Sequence, residues 1–91
     1  MIYEVYSVYD KAVKAYLQPF FMRSKGEAIR SFSAAVNDEK GPFSRNRDDY
    51  VLYFVGVFDD NTGLFTSGES QRVLGAAEVA GPEREPFKAL S

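Results

Sequence analysis

The sequence predicts an α+β fold: a small antiparallel sheet crossed by one amphipathic helix, in the order β-β-α-β-β, with a loose C-terminal tail. Three observations carry that expectation. Ser24 opens a run of helical periodicity, Tyr50 to Phe58 is a nearly continuous run of apolar β-formers, and Asp59 to Gly63 is turn chemistry that sends the chain back on itself.

Taken in order, Ile2 to Tyr9 reads as a first strand, rich in Tyr and Val and free of breakers. Ile2, Tyr6 and Val8 share one face with Glu4; Tyr3, Val5 and Tyr9 share the other with Ser7. Neither face is cleanly polar, so both are expected to be partly covered. Asp10 to Lys14 is a connection, with Lys11 to Ala15 able to form a helical turn. Tyr16 to Met22 reads as a second strand. Pro19 has no backbone donor, which puts this strand at an edge, or bulged or bent there.

Ser24-Lys25-Gly26-Glu27 has the form of a capping box, in which the Ser24 hydroxyl accepts from the Glu27 amide and the Glu27 carboxylate reaches back to the Ser24 N–H. Ile29, Phe32 and Val36 follow at helical spacing beside Ala28 and Ala35, with Arg30 and Ser33 on other faces. A helix over Lys25 to Val36 results, closed by Asn37 in a left-handed conformation and by Gly41-Pro42. Tyr50 to Phe58 is expected to be a central strand, and Leu64 to Thr66 its hairpin partner through Gly63. Arg72 to Val79 is a short strand or helix. Residues 1–80 form one domain, and 81–91, with two prolines, form a flexible tail.

Composition narrows the function classes. A chain of 91 residues holds one domain and buries roughly 60–65 % of its unfolded surface. With neither cysteine nor histidine, disulfides, thiolate metal sites and the commonest general base are excluded, and the chain is expected not to be an enzyme. Nothing resembles a phosphate-cradling glycine motif. Asp48-Asp49 and Asp59-Asp60 are carboxylate pairs without calcium-loop spacing; turn formation accounts for them, so neither metal nor cofactor is expected. No targeting or membrane-spanning segment is visible, which points to the cytosol.

Charge is uneven. Residues 1–47 hold eight cations against five anions, and residues 48–91 hold three against eight. The basic half interleaves cations with aromatics, as at Lys14 and Tyr16 and at Phe20, Phe21 and Arg23. Single-strand binding uses rings for base stacking beside cations for phosphates. The bland alternative is a solvated mixed surface over core phenylalanines, and a pI near 5.0 counts against strong nonspecific binding.

Several segments together carry a family resemblance. They are Gln18-Pro19-Phe20-Phe21, Ala28-Ile29-Arg30-Ser31-Phe32, Val36-Asn37-Asp38, Asp48-Asp49-Tyr50-Val51-Leu52-Tyr53, Gly56-Val57-Phe58-Asp59-Asp60 and Asn61-Thr62-Gly63. In this order and spacing they resemble the small nonstructural protein of gokushoviruses, single-stranded DNA phages of the microvirus group. Relatives carry a Lys-His-Pro-like stretch where this chain has Ser44-Arg45-Asn46-Arg47, so the cations remain and the histidine does not. The resemblance implies a DNA-binding protein acting in the host cytoplasm at single-strand synthesis or packaging, and not a major virion component.

The expected contacts to single-stranded DNA are Lys14, Arg23, Lys25, Arg30, Arg45 and Arg47 for phosphates, and Tyr16 for stacking. The competing expectation, from the acidic C-terminal half, is an interaction module for phage or host replication or assembly proteins. A homodimer is expected on either reading, because one helix covers only one face of so apolar a sheet.

Overall fold

The computed structural model describes residues 1–79; the tail expected over 81–91 lies outside them. The chain runs β1 (Ile2–Asp10), β2 (Ala15–Tyr16), β3 (Phe20–Met22), α1 (Lys25–Val36), β4 (Tyr50–Asp59) and β5 (Leu64–Gly75). Short 3-10 turns at Arg47–Asp49 and Ala76–Glu78 stand before β4 and after β5. The α+β architecture with one helix and an antiparallel sheet is as the sequence predicts.

Strand β1 lies inside the sheet. It pairs antiparallel with β4 on one side and with both β2 and β3 on the other, giving the order β2-β1-β4-β5 with β3 beside β2. The expected second strand is thus two short strands at one edge. The break falls at Leu17-Gln18-Pro19, where proline cannot donate to a ladder. Leu17 still holds on, its amide donating to the Val8 carbonyl at 2.8 Å and its carbonyl accepting from the Ser7 hydroxyl at 2.6 Å.

The helix buries Ala28, Phe32 and Val36 against Tyr6, Val8, Leu52 and Ala76. Its cap differs in detail from the expected box. The Ser24 hydroxyl accepts from the Glu27 amide at 3.2 Å, but the Glu27 carboxylate accepts from Arg23 N, one residue earlier, at 3.0 Å. Asn37 is not left-handed: its φ is −88°. Its amide and its Nδ2 both donate to the Ser33 carbonyl, at 3.0 Å each, so the last turn closes without a positive φ.

At the hairpin, Gly63 takes φ +75°, the left-handed value that the turn requires. The returning strand is far longer than Leu64 to Thr66, running to Gly75. Three register shifts let the sheet curl: against β5 the pairing jumps from Leu74 to Arg72 opposite Leu52 and Tyr53 and from Gln71 to Ser67 opposite Phe54 and Gly56, and against β1 Val55 is skipped.

Candidate nucleic-acid interface

Alternation along the strands divides the sheet into two faces. Tyr6, Val8, Leu52 and Phe54 meet the helix, and Phe20 stacks on Tyr6 with ring centroids 6.2 Å apart. Tyr3, Val5, Ser7 and Tyr9 turn the other way. Their cross-strand neighbours are Phe58, Gly56, Tyr53 and Val51 of β4, with Phe21 beside Val5 and Tyr16 beside Tyr9.

This second face is curled. Phe21 of the first edge meets Phe65 of the last edge at 5.9 Å between centroids, and the Tyr16 hydroxyl lies 3.1 Å from the Ser70 hydroxyl. Contacts between the two edges of a sheet make the face that carries them concave. Gly56 permits the tight central pairing: a Cβ there would stand 2.7 Å from the Thr66 carbonyl oxygen.

The rings form two groups. At one end, Tyr9, Tyr16 and Tyr53 contact each other at 4.8, 5.5 and 6.2 Å. At the other, Phe21 touches Tyr3, Phe58 and Phe65, and Phe58 touches Phe65 at 4.8 Å. Val5, Ser7 and Val51, all buried, floor the space near and between them. Tyr16, Phe21 and Phe65 remain about half exposed, so their rings are open to a ligand.

The cations gather in two places rather than one stripe. Lys14 sits in the β1–β2 turn with φ +59°, its amide bonded to the Asp10 carbonyl at 2.8 Å. The same turn is tied to the Arg47–Asp49 turn by Lys11 N donating to Asp49 O at 2.8 Å. Lys14, Arg45 and Arg47 therefore share the tyrosine end of the sheet. Arg45 and Arg47 line an open cleft with Ser44, Asn46, Asp48 and Asp49, in which Arg47 Nε is buried without a hydrogen-bond partner. Arg23 and Lys25 stand at the start of the helix, toward the phenylalanine end, and Arg30 is exposed on the helix, in the opposite layer from the rings.

A family model described as the phage ORF5 protein matches residues 3–79. The chain belongs to this phage ORF5 protein family. The match takes in the helix and all of the strands except Ile2, so the ring face and both cation groups are part of the shared domain. No curated protein and no solved structure matches the chain.

Other polar groups of this phage protein have structural partners. Tyr6 donates to Glu4 at 2.6 Å; burial first, and then Glu4, hold its phenol well above the usual range and keep it protonated. Arg72 pairs with Glu78, which also accepts from Gly75 N at 3.1 Å, and these bonds, Arg72 first, lower the Glu78 pKa. Asp59 accepts from Asn61 N at 2.9 Å and Asp60 from the Met1 ammonium at 2.7 Å. No group of acidic side chains among the described residues is arranged to hold a metal ion. No described helix is long and apolar enough to cross a membrane.

Sequence reasoning singled out Tyr16 and missed its companions Tyr9 and Tyr53. Tyr53 reaches the site because Ser7 pairs with it across β1 and β4, a contact no local pattern announces. Tyr9 was legible in the odd-numbered face of β1, which repeats Tyr, Val, Ser, Tyr from residue 3 to residue 9.

Proposed function

We propose that this phage protein is a non-enzymatic binder of single-stranded DNA, of the gokushovirus kind. On this reading it serves single-strand synthesis or packaging in the host cytoplasm and is not a major virion component. The observation that supports this is the tyrosine end of the concave face, where three mutually touching rings stand at the end of the sheet from which the Lys14 turn and the loop carrying Arg45 and Arg47 lead.

Bases stack on half-exposed Tyr16 and its neighbours, at about 1–3 kcal/mol per base, while the cations follow the phosphates. A duplex hides its base faces inside the stack, so this surface discriminates against it. Net charge of −2 keeps affinity modest. With about three phosphate contacts, log K falls against log salt with a slope of about −2.

Anisotropy of a labelled thymine oligonucleotide at low salt tests this reading. Binding that is stronger than to a duplex of equal length, and weaker by about tenfold or more in Tyr16→Ala, is expected. No binding at about 50 μM protein, or equal affinity for duplex, overturns it.

The separation of Arg23, Lys25 and Arg30 from Lys14, Arg45 and Arg47 favours a second reading, an interaction module for phage or host replication or assembly proteins. On that reading both anisotropy signals are absent, while a partner from infected cells binds the chain at high salt.

A further inference from the structure

We infer that the cleft between the Arg47–Asp49 turn and the turn after β5 is a base pocket that selects guanine in a single strand. The inference rests on the nucleic-acid reading and names the nucleotide that this end of the protein prefers. The cleft is open, about 530 Å³ in volume, and is lined by Arg45, Asn46, Arg47, Asp48 and Asp49 with Ala77 of the second turn. Space of that size accepts a nucleotide. The Lys11 amide bonds to the Asp49 carbonyl at 2.8 Å, which sets the cleft at the end of the sheet where Tyr9 pairs with Tyr16.

Unused hydrogen-bonding capacity marks this cleft. The chain has six aspartates, and the side chains of four are engaged in local structure. Asp10 accepts from Ala12 N at 3.0 Å, Asp38 from Lys40 N at 3.0 Å, Asp59 from Asn61 N at 2.9 Å and Asp60 from the Met1 ammonium at 2.7 Å. The Asp48 and Asp49 carboxylates accept from no group among the described residues. Their turn is closed by backbone, Asp49 N donating to Asn46 O at 2.9 Å. Arg45 and Arg47 line the same cleft, yet neither pairs with a carboxylate; the ion pairs among the described residues are Met1–Asp60 and Arg72–Glu78. Arg47 Nε is buried with no acceptor. A donor in that state is destabilising, and an acceptor entering the cleft relieves it once the guanidinium turns toward it.

The charges select the ligand. Two guanidiniums and two carboxylates sum to zero, so a bare phosphate is attracted and repelled alike, and a neutral edge with both donors and acceptors is favoured. Guanine presents that edge. Its O6 and N7 accept two N–H groups of one arginine, and its N1–H and 2-amino group donate to one carboxylate. Adenine and cytosine each carry one amino donor beside ring acceptors, and thymine carries one N–H between two carbonyls, so none offers a carboxylate donors on neighbouring atoms. Arg47 is assigned to O6 and N7, and the Asp48–Asp49 pair to N1–H and the amino group. Cytosine engages those two donors in a duplex, so the pocket also favours an unpaired strand.

Anisotropy is the experiment, with a labelled thymine strand of about ten nucleotides carrying one central guanine, adenine or cytosine, against the all-thymine strand. Guanine should tighten binding about tenfold. Hypoxanthine at that position, which lacks the 2-amino group, should lose most of the gain. At least one of Asp48→Asn and Asp49→Asn should lose it too, and neither should weaken binding to the all-thymine strand, because each removes a negative charge. Thermal melts report whether these variants fold, and hypoxanthine tests the same contact on the parent chain if they do not. All-thymine binding with the four central bases equal overturns the inference and leaves the stacking reading standing. A preference for guanine that persists with hypoxanthine, or in both folded variants, overturns it as well. No binding of any strand at about 50 μM protein overturns the inference together with the reading it rests on.

Discussion

Replacing Phe32 by alanine tests how the helix is held to the sheet. Phe32 is 3 % exposed, sits between Ala28 and Val36 on the buried stripe, and contacts the Phe43 ring at 5.9 Å. Burying such a side chain contributes about 1.5–3 kcal/mol. A residual cavity of about 80 Å³, at about 24 cal/mol per Å³, adds about 2 kcal/mol, for a total within the 3–5 kcal/mol usual for this change. The groove between α1 and β3 already opens beside Phe32, lined also by Leu17, Phe20, Met22 and Phe43. The new void merges with it, which sets the expected loss near the lower figure, about 3 kcal/mol. In a domain of this size that lowers Tm by about 12–24 °C. Circular-dichroism melts and urea unfolding measure it. Arg30→Ala, exposed on the same helix, should stay within about 0.5 kcal/mol of the parent. A Phe32→Ala loss below about 1 kcal/mol would refute the packing described.

Three further outcomes are expected. Gly56→Ala should cost about 1–3 kcal/mol in urea unfolding, because its Cβ meets the Thr66 carbonyl at 2.7 Å and backbone must move. Gly63→Ala should cost about 1 kcal/mol in the same assay; nothing lies within 4 Å, so the loss is that of φ +75° alone. Glu78 has a folded pKa below its unfolded one, so its contribution is complete above the ordinary carboxylate range and fades as pH falls through the folded value. Melts against pH should therefore show the parent above Glu78→Gln at neutral pH and the two converging in acid.

Local signals were legible wherever the chemistry is local. The Ser24 cap, Phe32 and Val36 of the helical stripe, the break at Pro19 and the left-handed Gly63 each follow from residues within one turn of chain, although the third buried position is Ala28 and the expected Ile29 is only partly buried. The second half of β5 was not legible. Thr66 to Arg72 is polar, carries Gly68 and has no apolar alternation, and it is a strand because β4 supplies the ladder, Phe54 to Gln71 and Tyr53 to Arg72. The site was half legible for the same reason. Lys14 beside Tyr16 could be read along the chain, whereas the tyrosine trio exists only once β1, β2 and β4 are side by side. Phe20 and Phe21 could not be told apart by sequence; pairing with Tyr6 and Val5 sends one to the core and the other to the open face.

The most direct test of a tyrosine-centred DNA surface is an amide chemical-shift titration of the labelled full chain with a short thymine oligonucleotide at low salt. The account predicts shifts concentrated at Tyr9, Lys14, Tyr16, Arg47 and Tyr53, with the exposed helix face around Arg30 unmoved. Shifts concentrated on the helix, or at Phe58 and Phe65 with the tyrosine end silent, would contradict it.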